Sequence, residues 1–316
     1  MIERIEREIK DLSQGVSLGS KPKSLYEPIR YIMNLGGKRL RPLLVIHAYN
    51  LYRDDTEKIL KYAVAVEAFH NFTLMHDDIM DKAPLRRGKP TVHEKFNSNT
   101  AILSGDVMLV KVYDMFLPLP DKQLKEVLRL FNKTAAEVCE GQQLDMDFET
   151  MKKVSENQYL EMIRLKTAVL LGFSLELGAI LAGAPEEDRK ALYDFGVNVG
   201  IGFQLMDDLL DVYADQKKFG KTVGGDIVSN KKTYLLIKAL ERKRTELDKW
   251  LSTKKFDKKK KVAAVTKIYD SLGIQRITQE KADQYFNEGY RCLNAISNPK
   301  KEQLTAFAKS LAARQK

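Results

Sequence analysis

The chain has 316 residues, a formal net charge of +10, and only 9 Pro and 18 Gly among long stretches rich in Leu, Ala, Lys and Glu, which favours helix. Its two cysteines, Cys139 and Cys292, lie far apart with no CxxC or Cys/His cluster nearby, which excludes a disulfide framework or a structural zinc. The positive balance suits nucleic acid, an anionic membrane surface or a phosphorylated small molecule, and does not choose among them.

The N-terminal MIERIEREIKDLSQ is an amphipathic charged helix and not a signal peptide. Gly36-Gly37 ends the first main helix, and Asp54-Asp55-Thr56 can cap the next, which runs from about Thr56 to Asp81. The Pro84 to Pro90 segment closes it. Breaks follow at Pro118 and Pro120 and at Gly183 to Pro185, where Pro185 with Glu186, Glu187 and Asp188 makes a good helix start. A helix from about Leu192 to Asp211 comes next, then breaks between Gly220 and Gly225, at Gly273 and at Pro299. The basic run Lys254 to Lys261 (KKFDKKKK) reads as a solvated loop leading into a helix. Cys139 reads as an inert core thiol. No alternating strand pattern is found, no apolar run approaches a membrane span, and no linker divides the chain. One all-α domain over residues 1–316, a single large helical bundle in a soluble cytoplasmic protein, is expected.

Two of these helices are apolar on nearly every face, the mark of a helix in the middle of a bundle. The first carries Ala63, Val64, Val66, Ala68, Phe69, Phe72, Leu74 and Met75, and ends in Asp77, Asp78 and Asp81. The second carries Phe195, Val197, Val199, Ile201, Phe203, Leu205 and Met206, and ends in Asp207, Asp208 and Asp211. Aspartates at i and i+4 share a helix face and can reach a common ion. Like charges ~4 Å apart repel by about 4 kcal/mol at an effective dielectric near 20, so cations must offset each trio. Ligands made only of carboxylate oxygens favour a hard ion, and Mg²⁺ is commonly shared between one or two carboxylates and substrate phosphates. The complement is present in Lys38, Arg39 and Arg41, in Arg86 and Arg87, and in Lys217, Lys218, Lys221, Lys231 and Lys232. Arg forks match phosphate oxygens two at a time.

GGKRLRP (36–42), HDDIMD (76–81) with RRG (86–88), GQQLD (141–145), LKT (165–167), GFQLMDDLLD (202–211) and FGKTVGGD (219–226) stand in this order. From about residue 24 to 240 the chain resembles the trans-type isoprenyl diphosphate synthases, the polyprenyl synthetase family. That resemblance implies a homodimer of helical bundles, each with a deep central cavity. It implies Mg²⁺, three ions per active site, as cofactor. The implied substrates are isopentenyl diphosphate and an allylic partner such as dimethylallyl, geranyl or farnesyl diphosphate.

The resemblance also assigns roles. Asp77 and Asp81 match ligands of two ions on the allylic diphosphate, with Asp78 supporting them; Asp207 matches the ligand of a third, with Asp208 and Asp211 around it. Arg86, Lys166, Lys221 and Lys231 match cations on the allylic diphosphate. Lys38, Arg41, His70 and Arg87 match the isopentenyl diphosphate pocket. Thr167 and Gln204 match polar groups near the forming carbocation, while Gln142 and Asp145 look cavity-facing. Of the remaining histidines, His47, His76 and His93, only His76 adjoins a trio, where a hydrogen-bonded or packing role is weighed against metal ligation.

In such enzymes the allylic carbon–oxygen bond ionises, the double bond of isopentenyl diphosphate attacks the cation, and the released diphosphate removes the final proton. Apolar helix walls keep out water, which would quench the cation. Phe72, five residues before Asp77, and the small Thr73, four before it, are expected to set product length, with twenty carbons favoured over fifteen. A farnesyl or longer-chain synthase, a terpene cyclase and a non-catalytic regulatory subunit remain the alternatives. A cyclase typically lacks the second DDxxD and the GGKRLRP pocket, a regulatory subunit would be expected to have lost aspartates, and the paired acids do not fit a nucleic-acid binder.

Overall fold

The computed structural model describes residues 1–14, 19–214, 224–253 and 255–313. Lys217, Lys218 and Lys221, with most of FGKTVGGD, and Lys254 lie outside the described residues. The helices, in chain order, are α1 (Ile2–Gln14), α2 (Lys23–Met33), α3 (Leu40–Tyr49), α4 (Leu60–Met80), α5 (Val92–Lys95), α6 (Ser98–Phe116), α7 (Asp121–Thr150), α8 (Glu156–Ile163), α9 (Val169–Ala182) and α10 (Glu186–Tyr213), then α11 (Gly225–Ser229), α12 (Tyr234–Leu251), α13 (Lys258–Ser271), α14 (Ile274–Asn294) and α15 (Lys301–Ala313). The fold is all-α, as expected. A 3₁₀ turn, Thr56–Ile59, leads into α4, and a π turn, Arg164–Ala168, joins α8 to α9.

A short strand pair interrupts the helices. Leu85–Arg86 pairs antiparallel with Lys89–Pro90. Arg87 and Gly88, at φ 54° and 75°, form the turn between them, as a two-residue hairpin whose turn matches strand twist requires. Strands of two residues are too short for an alternating pattern to register.

The described chain forms two compact units, residues 1–133 with 173–190, and residues 134–172 with 191–316. In the first, α4 packs most extensively against α6 and then α3. The apolar run anticipated on α4 is buried from Ala63 to Phe69 and again at Phe72 and Met75, with Leu74 half-buried, and Glu67 is enclosed among them at 2% exposure. Around it an aromatic cluster closes the core: Phe131 meets Phe69 at 5.0 Å, Tyr113 at 5.1 Å, Phe116 at 5.6 Å and Phe173 at 5.8 Å between ring centroids. On α6 and just beyond it, Leu103, Val110 and Leu117 are exposed at seven-residue spacing, forming an uncovered apolar stripe.

In the second unit, the buried stripe on α7 runs through Thr134, Val138, Gly141 and Phe148 at intervals of four, three and seven residues. Cys139 falls one position off that stripe and is exposed, which corrects its expected place in the core. The basic run is also corrected. Lys258 to Lys260 are exposed, but Lys261 shares the inward face of α13 with Val265 and Tyr269 and is fully buried. Its ammonium donates to Asn230 Oδ1 at 2.5 Å and to the Val228 carbonyl at 3.3 Å, and lies 4.2 Å from the Phe256 ring centre. Burial among neutral acceptors lowers its pKa.

The stretch Glu156–Ala182 is long and apolar enough to cross a membrane by length and composition, at mean hydropathy 1.7, contrary to the expectation that no run approaches a span. Since 78% of that window is buried within the protein, its apolarity serves an interior helix.

Phe131→Ala should lower unfolding free energy by about 3–5 kcal/mol, the cost of a large aromatic lost from a closed core. Urea denaturation followed by circular dichroism measures it, with a falling midpoint and an unchanged slope expected.

Candidate functional site

In the first unit, α4 carries the first aspartate trio to its C-terminal end. Asp78 turns inward at 1% exposure, where the Arg86 fork grips it: Nη2 to Oδ1 at 2.7 Å, Nε to Oδ2 at 2.8 Å and Nε to Oδ1 at 3.0 Å. The hairpin turn places Arg86 for this contact. Burial tends to lower the Arg86 pKa, but the hydrogen bonds and charge of Asp78 outweigh it and the pKa rises. Asp77 is half-buried and Asp81 exposed, both at the end of the helix. Thus Asp78 is fixed from behind, while Asp77, one oxygen of which is buried, and the exposed Asp81 stand beside it at the helix end.

His76 precedes the trio. Its Nε2 lies 3.1 Å from the Ile102 carbonyl and its ring meets Phe72 at 4.8 Å. Phe72 is 9% exposed and also meets Phe69 at 5.8 Å, whereas Thr73 is half-buried and donates its hydroxyl to the His70 carbonyl at 2.8 Å.

GGKRLRP forms the loop from α2 into α3. Gly36 and Gly37 adopt φ 78° and 138°, where a side chain is strained, and a Cβ on Gly37 would stand 2.8 Å from the Arg87 guanidinium carbon. Arg87 Nη1 donates to the Gly36 carbonyl. Lys38 is exposed. Arg41 Nη1 lies 3.1 Å from His70 Nε2. Burial, then the charges of Arg41, Arg87, Arg86 and Arg39, hold the His70 pKa well below its usual value, so the ring is neutral and can accept from Arg41. Arg41 Nε is buried without a hydrogen-bond partner among the described residues, and burial pushes its pKa down to about 10. Arg39, grouped with these cations by sequence, instead faces two carboxylates, Glu6 and Glu67, each at 2.7 Å.

In the second unit, α10 carries the second trio. Asp208 is 5% exposed; the buried Tyr159 hydroxyl donates to its carboxylate and Gln204 Nε2 donates to Oδ1 at 3.3 Å. Burial, then the nearby Asp226, raises the Asp208 pKa. Burial raises that of Asp226 also, with Asp211, Asp207 and Asp145 adding to it against the lowering charge of Lys231. Asp211 Oδ2 accepts the Asp226 backbone N–H at 2.9 Å, which fastens the start of α11 to α10. On α7, Asp145 pairs with Lys166 at 2.7 Å and lies 3.8 Å from Lys231; burial tends to raise its pKa, but the charges and hydrogen bonds of Lys231 and Lys166 outweigh it and the pKa falls. Thr167 Oγ1 donates to Gln204 Oε1 at 3.3 Å, and Gln142 Nε2 is buried with no hydrogen-bond partner among the described residues.

The π turn presents Lys166 and Thr167 together. It seats against two small residues: a Cβ on Gly141 would collide with the backbone of Lys166, and one on Gly200 would come within 2.7 Å of Ala168. Close approach of helix backbones therefore fixes both side chains.

Among the described residues, no three His, Cys, Asp or Glu side chains gather tightly enough to hold a metal alone. The carboxylates nonetheless fit a hard cation shared with phosphate, because burial and neighbouring carboxylates raise Asp208 and Asp226, a crowding of negative charge that a divalent ion would offset. Glu6, Glu67, Tyr159 and Asp226 escaped sequence reasoning. Glu67 carried a signal, a lone acid in the apolar run AVAVEAF, and Asp226 closes the quoted FGKTVGGD; Tyr159 belongs to no motif.

The sequence pattern described as Polyprenyl synthetase matches residues 22–272. A geranylgeranyl diphosphate synthase of Methanosarcina mazei is 37% identical, covering 100% of this chain and 99% of its own. A geranylgeranyl pyrophosphate synthase of Geoglobus acetivorans is also 37% identical, over 99% of this chain and 95% of its own. A crystal structure of a geranylgeranyl pyrophosphate synthase superposes with TM-score 0.93 at 42% identity, covering 98% of each chain.

Gly141→Ala should lose stability and activity together. Helix propensity favours Ala by at most ~1 kcal/mol, and forcing a methyl into a packed interface typically costs about 1–3 kcal/mol, so the clash wins. Thermal melting and steady-state assay check both losses.

Proposed function

Because the chain belongs to the polyprenyl synthetase family, we propose that it is a trans-prenyltransferase that condenses isopentenyl diphosphate head-to-tail with an allylic diphosphate to give a short-chain product, geranylgeranyl favoured, as one functional domain over residues 1–316. The observation that carries this reading is the pair of intact aspartate trios, each at the end of an apolar helix and each braced by its own cation or hydroxyl, Arg86 on Asp78 and Tyr159 on Asp208.

Asp77 and Asp81 in one unit and Asp207, Asp208 and Asp211 in the other would hold Mg²⁺. Asp78 supports the first set while Arg86 anchors it. Bound magnesium supplies positive charge that stabilises the departing diphosphate. Lys166 and Lys231, steadied by Asp145, and Lys221, which lies outside the described residues, offer further positive charge to the allylic diphosphate. Lys38, Arg41, His70 and Arg87 bind the isopentenyl diphosphate, and the neutral His70 leaves Arg41 oriented for it. Thr167 and Gln204 place hydroxyl and amide oxygens near the carbon that loses its oxygen. The allylic carbon–oxygen bond breaks with its electron pair leaving on diphosphate, the double bond of isopentenyl diphosphate forms the new carbon–carbon bond, and the proton passes to the released diphosphate.

Homodimerisation fits the exposed Leu103, Val110 and Leu117 stripe, which a second copy would cover. A cytoplasmic setting accords with the proposed small-molecule chemistry. Farnesyl or longer products remain the second reading, and Phe72 separates them: its buried ring lies one turn and more before Asp77, and helical side chains lean toward the N-terminus, so it would floor the product tunnel.

Asp77→Ala and Asp207→Ala should each cut kcat by roughly 100-fold or more with helicity intact, the order of loss when a stabiliser of developing charge is removed. Activity close to that of the parent in either variant defeats the metal assignment. Phe72→Ala should shift products to longer chains, read by chromatography of dephosphorylated products made from dimethylallyl, geranyl and farnesyl diphosphates in turn. An unchanged distribution removes Phe72 from that role. Val110→Asp should shift sedimentation toward the monomer, since it buries a charge in the proposed seam.

A further inference from the structure

We propose that Glu6, Arg39 and Glu67 are positioning residues that clamp the isopentenyl diphosphate pocket, so that the N-terminal helix controls affinity for this substrate. The inference rests on the reading of Lys38, Arg41 and His70 as that pocket.

Arg39 sits between the two pocket cations in sequence, yet its side chain is 0% exposed. Its backbone is left-handed, φ 48°, at the start of α3, a conformation a bulky residue adopts only when its surroundings hold it there. What holds it is on three sides. Nε donates to Glu6 Oε1 at 2.7 Å and Nη2 to Glu6 Oε2 at 3.3 Å, both from α1. Nη1 donates to Glu67 Oε1 on α4 at 2.7 Å, and Nη2 also donates to the Met33 carbonyl at 2.9 Å, where α2 ends. One guanidinium thereby ties three helices to the loop.

The effect on the pocket follows from helix spacing. Glu67 and His70 are three residues apart on α4 and share a face. Glu67 takes Arg39 while His70 faces Arg41 at 3.1 Å, so two arginines at the start of α3 are matched to two groups one turn apart. Releasing Arg39 frees the strained backbone and lets Arg41 and Lys38 lose their common aim. Asn71 Nδ2 donates to Glu67 Oε1 at 3.2 Å, which fixes the inner carboxylate. The outer one is different: the Glu6 side chain is 41% exposed and belongs to a terminal helix. Glu6 can therefore be altered without opening a cavity, and movement of α1 would be felt at Arg39 directly.

The test compares Glu6→Gln with Arg4→Ala, which breaks the separate Arg4–Glu57 tie of the same helix at 2.8 Å. Glu6→Gln should raise KM for isopentenyl diphosphate by about three- to tenfold, with the allylic KM and kcat within about twofold, as expected from loosening one of several charge-assisted contacts. Arg4→Ala should leave both KM values in place. A Glu6→Gln enzyme with only a lowered melting temperature, with both KM values raised equally, or matched by Arg4→Ala overturns the clamp. Lys38→Ala, assayed alongside, tests the underlying pocket: if it fails to raise the isopentenyl diphosphate KM, the pocket reading falls, whereas a responsive Lys38→Ala with a silent Glu6→Gln rejects the clamp alone.

Discussion

Negative charge gathered at the ends of apolar helices is the constraint on which the rest depends. Carboxylates that are buried or crowded resist ionisation unless a cation or a donor answers them. In the first unit the answer is Arg86, whose fork engages both oxygens of Asp78. In the second, Tyr159 and Gln204 donate to Asp208, and Lys166 pairs with Asp145. These partners keep the acids in place with charge to spare, which suits a ligand that brings metal and phosphate together.

Backbone geometry then decides where the answering groups can stand. Arg86 reaches Asp78 because the hairpin reverses the chain directly after α4. Asp226 reaches Asp211 by a backbone N–H at the start of α11. Lys261, buried in the first turn of α13, holds the Val228 carbonyl and the Asn230 side chain at the other end of α11, so the short helix bearing Asp226 is fastened at both ends. A buried ammonium is costly, and here two hydrogen bonds from it offset part of that cost.

Much of this was legible before any coordinates. The echo of two aspartate trios on apolar helices marked the two carboxylate sites, and breakers placed the long helices because glycine and proline act locally. What escaped depends on partners distant in sequence. Arg39 looked like Lys38 and Arg41, and only the fold reveals that Glu6 and Glu67 claim it. Lys261 looked like its exposed neighbours because a charge run carries no phase; the inward face of α13 supplies one. Cys139 was misplaced by a single position on an amphipathic helix, since hydrophobicity of one residue says less than its place in the stripe.

The π turn at Arg164–Ala168 has a consequence for how the chain can change length. An α-helix turns by about 100° per residue, and a π turn accommodates one residue more than the regular ladder. Deleting a residue there would restore ordinary helix, yet it would rotate Lys166 and Thr167 away from Asp145 and Gln204 or else turn the following Val169–Gly172 segment off Gly196. Insertions and deletions in this segment are thus rotations in disguise, and a lineage that gained the extra residue could not shed it without exchanging one helix face for another.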